Sequence, residues 1–250
     1  MRLLLINPNR TQAVTDAVLV AARAAAAPGT QLRALTGRSG PAIIASRTEN
    51  ALAQQEALEL AHTHAAEADA IVLAVSLDSA LWPCRELLDI PVIGMTEAGL
   101  LIGATLAGRI GLLTYGPRMA PLYRELVAAH GQAQRLAGIE ALALTPEQSL
   151  ADPVAAQAQV LAGIRRLTER DGAEAVLLAG AAMASMAAAL QPSTPVPLLD
   201  GVACAVALAE ARHRLRLPAS RVGSLAPLAG RAVTGISPAL AQRLQDGTAP

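Results

Sequence analysis

The chain has 250 residues, 20 basic and 20 acidic side chains and an apolar share of 53%. It contains no lysine and no phenylalanine, with one Trp and two Tyr. The missing amine excludes imine-forming catalysis and a P-loop lysine, and the neutral, scattered charge excludes the electrostatic footprint of a nucleic-acid binder.

Short apolar runs alternate with longer alanine-rich segments, the pattern of βαβ units. Leu3 to Ile6 reads as a strand, and Thr11 to Ala27 as a helix that stops at Pro28-Gly29. Gln31 to Leu35 reads as a second strand and Glu49 to Glu67 as a helix. Ala70 to Val75 is a buried-strand run, Leu81 to Leu88 a short helix and Pro91 to Met95 a further strand. Arg109 to Thr114 then begins a similar series. A polar break at Tyr115-Gly116-Pro117 leads into a helix over Met119 to His130, followed by a helix over Pro153 to Asp171. Ala175 to Ala179 and Pro195 to Leu199 read as strands, and Val202 to Leu215 as a helix. Ser237-Pro238 has the cap-then-proline arrangement of a helix start, continuing to about Leu244.

The halves overlay. Ala68 to Ser76 matches Ala173 to Ala181 at an offset of 105, and Ile90 to Gly94 matches Val196 to Asp200 at 106. The fold class is therefore α/β: two similar doubly wound parallel-sheet lobes related by a pseudo-twofold axis, with a cleft between them. Lobe one is assigned to residues 1–96 plus about 216–250, and lobe two to 97–215. Ligands of open α/β sheets bind beyond the carboxyl ends of strands. In such a cleft, matched groups can flank one carbon from opposite faces, as proton removal and return require.

Cys84 and Cys204 are 120 residues apart, too few and too distant for a disulfide framework or a metal-ligand spacing. Apolar runs are interrupted before the ~18 residues a membrane span needs. The expectation is a cytoplasmic protein that binds no nucleic acid and no membrane. The alanine-rich, sparsely charged surface suggests a homo-oligomer. No metal site is expected.

Several motifs stand together in order. They are Ile6-Asn7-Pro8-Asn9, Gly40-Pro41, Asp78, Arg85-Glu86, Ile90-Pro91-Val92-Ile93-Gly94, Glu97-Ala98, Asp200-Gly201-Val202, Gly223-Ser224 and Thr234-Gly235-Ile236-Ser237-Pro238. In these the chain resembles the hydantoin racemases of the aspartate/glutamate racemase superfamily, along essentially its whole length. The resemblance implies a cofactor-independent enzyme acting on hydantoins or amino-acid derivatives through two cysteines, one per lobe. It places those cysteines after Leu73-Ala74 and Leu178-Ala179, where this chain has Val75 and Gly180. Neither side chain can carry a proton.

Other groups must then serve the site. Asp78 is the one acidic residue beside the first strand end and Tyr115 follows the lobe-two strand, so both are candidate catalytic residues. Asp78 could equally cap the Leu81 helix, and Tyr115 could make a structural hydrogen bond. Asn9, Ser76 and Thr114 are candidate ligand contacts, with the backbone N–H groups of Ala181 and Ala182 as an anion cradle. Arylmalonate decarboxylases offer a second resemblance: Ser76 and Tyr115 match the hydroxyl residue and the tyrosine that hold the leaving carboxylate there. Three functions stay open: an isomerase with an unorthodox acid–base pair, a cofactor-free decarboxylase, and a small-molecule binding protein without catalysis. The ligand expected is a carboxylate or an imide; its identity is set by loops the sequence does not place.

Overall fold

The computed structural model describes residues 1–247, so the last three residues assigned to lobe one lie outside the described residues. The first half contains β1 (Arg2–Asn7), α1 (Gln12–Ala25), β2 (Gln31–Thr36), α2 (Arg47–His64), β3 (Ala70–Leu73), α3 (Leu81–Leu87) and β4 (Val92–Gly94). These strands form one parallel sheet in the order β2-β1-β3-β4. After α4 (Met95–Gly103) come β5 (Ile110–Tyr115), α5 (Met119–Ala129), β6 (Leu136–Leu142), α6 (Pro146–Ala151), α7 (Pro153–Glu169), β7 (Ala175–Leu178), α8 (Met186–Leu190) and β8 (Leu198–Asp200). They form a second parallel sheet in the order β6-β5-β7-β8. α9 (Gly201–Leu215) and α10 (Pro238–Asp246) complete the chain. The two-lobed α/β architecture read from the pattern is the one observed.

The central strands β1, β3, β5 and β7 read as continuous apolar runs because helices cover both of their faces. Leu3, Leu5, Val72, Leu112 and Leu177 are essentially inaccessible, and each such burial stabilises by roughly 1.5–3 kcal/mol. One apolar cluster runs through both halves, from Leu3 and Val72 through Met95 and Ala205 to Leu112 and Leu177. α4 and α9 carry it across: α4 packs on β4, β7 and α9, while α9 packs on α1, β3 and β4. Small residues make this possible in a chain without phenylalanine. A Cβ on Gly99 of α4 would lie 2.4 Å from Leu177 Cδ1, so the helix sits almost directly on β7.

The repeat is geometric as well as sequential. Leu3 is paired with Ala70 and Ile110 with Ala175, so the opening strands correspond without a gap. The Ala74 N–H donates to Ile6 O and the Ala179 N–H to Leu113 O, both at 2.8 Å. Ala80 (φ 64°) and Ser185 (φ 75°) take the same left-handed backbone just before α3 and α8.

The helices that follow β4 and β8 are capped by a carboxylate in both lobes, but from different positions. Asp200 accepts the Val202 and Ala203 N–H groups at 2.8 and 3.1 Å at the start of α9. Its equivalent before α4 is Gly94. There the carboxylate comes from Asp78, which accepts the Thr96 and Glu97 N–H groups at 3.0 and 2.8 Å. A Cβ on Gly94 would lie 2.5 Å from Asp78 Cγ, so the imported side chain fills the space a local one would take. Each carboxylate satisfies otherwise orphaned helix N–H groups and complements the positive end of the helix.

Candidate active site

The carboxyl ends of β1, β3, β5 and β7 meet at a cavity of about 60 Å³ between the lobes. After β3 the chain turns through Val75, whose carbonyl accepts the Asp78 N–H at 2.9 Å. After β7 it turns through Gly180, whose carbonyl accepts the Met183 N–H at 2.8 Å. The same turn thus presents Val75 and Gly180 from opposite lobes, and both line the cavity. Gly180 has an extended backbone that any residue could adopt. Space is what restricts it: a Cβ there would lie 2.8 Å from Met183 Cε and 2.9 Å from Tyr115 Cε2.

The polar groups of the cavity are neutral. Asn9 Oδ1 accepts from the Thr11 N–H (2.9 Å) and from Asn7 Nδ2 (3.0 Å), while its own amide N–H₂ makes no hydrogen bond among the described residues. That side chain is nearly buried and lines the cavity, so it has donors to offer a ligand. Tyr123, reaching in from α5, donates its hydroxyl to Ala179 O at 3.1 Å. Its single proton being used there, the Ser76 hydroxyl must donate to the Tyr123 oxygen. Thr114 places a second hydroxyl beside the same phenol. A chain of hydrogen bonds therefore joins the β3 end of one lobe to the β7 end of the other. Tyr115 donates to the buried Ser149 Oγ on α6 at 2.8 Å. Ala181 and Ala182 open a one-turn 3₁₀ helix along the cavity wall.

Burial pushes both phenols up to about 12, in each case as the dominant cause, so both are protonated at neutral pH. Among the described residues, no Asp, Glu, His, Arg or Cys lines this cavity. Among the described residues, no three His, Cys, Asp or Glu side chains converge as a metal site would require.

Of the residues singled out from sequence, Asn9, Val75, Ser76, Thr114, Tyr115, Gly180, Ala181 and Ala182 are brought together at the cavity. Asp78 is not among its lining groups. Its carboxylate is buried, caps α4 rather than the α3 helix that follows it, and accepts or shares a proton with His130 Nε2 at 2.9 Å. Burial, the largest influence, raises the Asp78 pKa against those hydrogen bonds. Thr96, at the α4 start, donates its hydroxyl to Ser76 O at 2.6 Å, so the cap supports the cavity wall from behind. Cys84 and Cys204 are buried in the cores, and desolvation pushes both thiols up to about 12.

Tyr123 went unnoticed in the sequence, where it looks like one helical apolar position among many. A usable signal was present: the chain has only two tyrosines, and both reach this cavity.

Residues 3–209 match the family model described as Asp/Glu/Hydantoin racemase, and the chain belongs to that family. A hydantoin racemase from Pseudomonas sp. (strain NS671) is 34% identical over 211 residues, covering 84% of this chain and 85% of that one. An allantoin racemase from Klebsiella pneumoniae superposes with a TM-score of 0.91 at 33% identity, covering 94% of this chain and 96% of that chain. An allantoin racemase from Pseudomonas fluorescens gives the same TM-score at 29% identity, covering 94% and 100%. No helix of the described residues is long and apolar enough to cross a membrane.

Proposed function

We propose that this cleft binds a hydantoin or a related amino-acid derivative through neutral hydrogen-bond donors, and that its proton chemistry does not run through a pair of thiols. The observation that carries this reading is the content of the cavity. Asn9, Ser76, Thr114 and two protonated phenols surround it, while Val75 and Gly180 stand where the family resemblance calls for cysteine. Among these groups the free amide N–H₂ of Asn9 suits the oxygens of an imide, a carboxylate or an enolate. None of them is a base at neutral pH, and one positioned acid or base is worth about 10²–10⁴ in rate. In this reading Asp78 is a positioning residue: it holds Thr96, which holds Ser76.

The test is α-proton exchange of hydantoins in D₂O, followed by proton NMR. Native protein is expected to exchange at least about 100-fold more slowly than a Val75→Cys/Gly180→Cys variant. Because a Cβ at residue 180 crowds Met183 and the Tyr115 ring, a second variant adding Met183→Ala removes the nearer of the two contacts and gives the thiol more room. Native exchange as fast as that of either variant would overturn the proposal.

A cavity lined by hydroxyl groups and without a base favours one second reading, a cofactor-free decarboxylase. There a bound malonate-type acid loses its carboxylate as CO₂, and the electron pair of the broken C–C bond passes into an enolate. Water then delivers a proton to carbon, and the hydroxide left takes up the CO₂ as bicarbonate. This sequence needs no base among the side chains, which matches the content of the cavity. Release of CO₂ from α-substituted malonates, lost on Tyr123→Phe or Tyr115→Phe substitution, would establish it over the first reading.

A further inference from the structure

A separate cavity of about 130 Å³ lies among α3, α4 and the end of α5, and it shares no lining residue with the strand-end cavity. His130, just past α5, forms part of its wall, with a side chain only 7% exposed. His130 Nε2 meets Asp78, whose two oxygens also take the Thr96 and Glu97 N–H groups. A carboxylate with donors on both oxygens acts as the acceptor, so the neutral imidazole keeps its lone pair on Nδ1. That nitrogen makes no hydrogen bond among the described residues and is not sealed from solvent, so it opens on the cavity.

The remaining walls are apolar or already satisfied. Arg85 takes both Glu97 oxygens, at 2.9 and 2.6 Å, and its guanidinium lies 5.0 Å from the centroid of the Trp82 ring. The Gln132 amide, without a hydrogen bond among the described residues, can follow either polarity of ligand. Leu100 is buried behind the cavity. Trp82 is the single tryptophan of a chain without phenylalanine, yet it is 55% exposed, and Leu101 on the same cavity is 45% exposed.

We propose that this cavity is a second ligand site, taking a neutral single-ring molecule that bears a hydroxyl group. The hydroxyl donates to His130 Nδ1, and the ring covers the free surface of Trp82 and Leu101. The size is suitable, since a cavity of about 150 Å³ takes a benzene ring. A cation would find the Glu97 charge neutralised and Arg85 already against the indole. An anion would meet the Nδ1 lone pair and the Glu97 carboxylate. Through His130 an occupant would bear on Asp78, and through Asp78 and Thr96 on Ser76 of the strand-end cavity.

Trp82 fluorescence reports on this cavity, because the chain has no other tryptophan. The native protein is titrated with phenol and with toluene, which has the same size and no donor. Phenol is expected to change the emission saturably and to bind at least about fivefold more tightly than toluene, which leaves Nδ1 buried without a partner. His130→Phe keeps that wall filled and removes the nitrogen, and it is expected to reverse the order, with toluene the tighter ligand. Toluene binding as tightly as phenol to native protein, or no saturable response to phenol, would overturn the assignment. So would a phenol preference that survives in His130→Phe. The native pair of titrations decides the matter even if that variant does not fold.

Discussion

Tyr123 shows how one side chain can hold two lobes and a ligand site at once. Tyr123→Phe leaves the ring in place but strips Ala179 O of its donor and Ser76 of its acceptor. A buried polar group left without its partner costs about 1–3 kcal/mol, and urea denaturation should read that loss. Ligand affinity should fall in the same variant because Ser76 loses its fixed orientation. The thiols give the opposite expectation. With both pushed up to about 12 by burial, Cys84 and Cys204 should resist alkylation in folded protein at pH 8 and react fully once urea unfolds it. At this scale the site was largely legible: strand-end positions such as Asn9, Ser76 and Thr114 follow from where apolar runs stop. Asp78 shows the limit. Sequence places it near the cavity, but its carboxylate turns away to α4, a helix that begins 17 residues later.

Among the elements, α5 supplies the side-chain links between the lobes that surround the cavity, beside the apolar packing of α4 and α9. Tyr123 reaches Ser76, His130 at its end reaches Asp78, and Glu125 forms an exposed pair with Arg47. The exposed pair should contribute little, because solvent screens it. The two buried contacts should matter more. α4 makes the tightest approach to the second sheet, and Gly99→Ala is the substitution that probes it. With a Cβ 2.4 Å from Leu177 Cδ1, the leucine or the helix must shift. Overpacking of this kind costs about 1–3 kcal/mol, to be read as a lowered urea midpoint with an unchanged slope. β1, β3, β5 and β7 were readable because strands buried on both faces are apolar throughout. β6 was not, since Gly138 and Glu140 interrupt Leu136–Leu142 and most of that edge strand is half-buried. α4 was missed for a related reason: Gly99 and Gly103 weaken its helical signal, yet both are glycine so that the helix can lie against Leu177, Leu199 and Ile110.

For the molecule as a whole, the buried phenols and thiols set the response to alkali. Burial holds Tyr115, Tyr123, Cys84 and Cys204 at about 12 in the folded state, above their ordinary values. A group whose pKa rises on folding adds stability that is complete below its unfolded pKa and disappears as pH climbs through the folded one. Unfolding free energy should therefore hold near neutrality, begin to fall above about pH 8.5 as unfolded thiols ionise, and fall faster above about pH 10. Tyr123→Phe should be less stable at pH 7 but lose less between pH 9 and 11, a comparison that denaturation at each pH provides.

The two helix caps carry a historical implication. If the lobes descend from one duplicated half, the carboxylate that seats the helix has migrated in one copy from the end of the strand to the neighbouring turn. Such a migration should be reversible by exchange. Asp78→Gly removes one cap while relieving a positive φ of 49°, and Gly94→Asp supplies a cap where lobe two has its own. Either change alone should injure the protein: the first exposes unpaired N–H groups and His130, and the second crowds two carboxylates together. Made jointly they should restore much of the lost stability, turning the first lobe into a copy of the second at this point and leaving in the pair of genotypes a trace of the path between them.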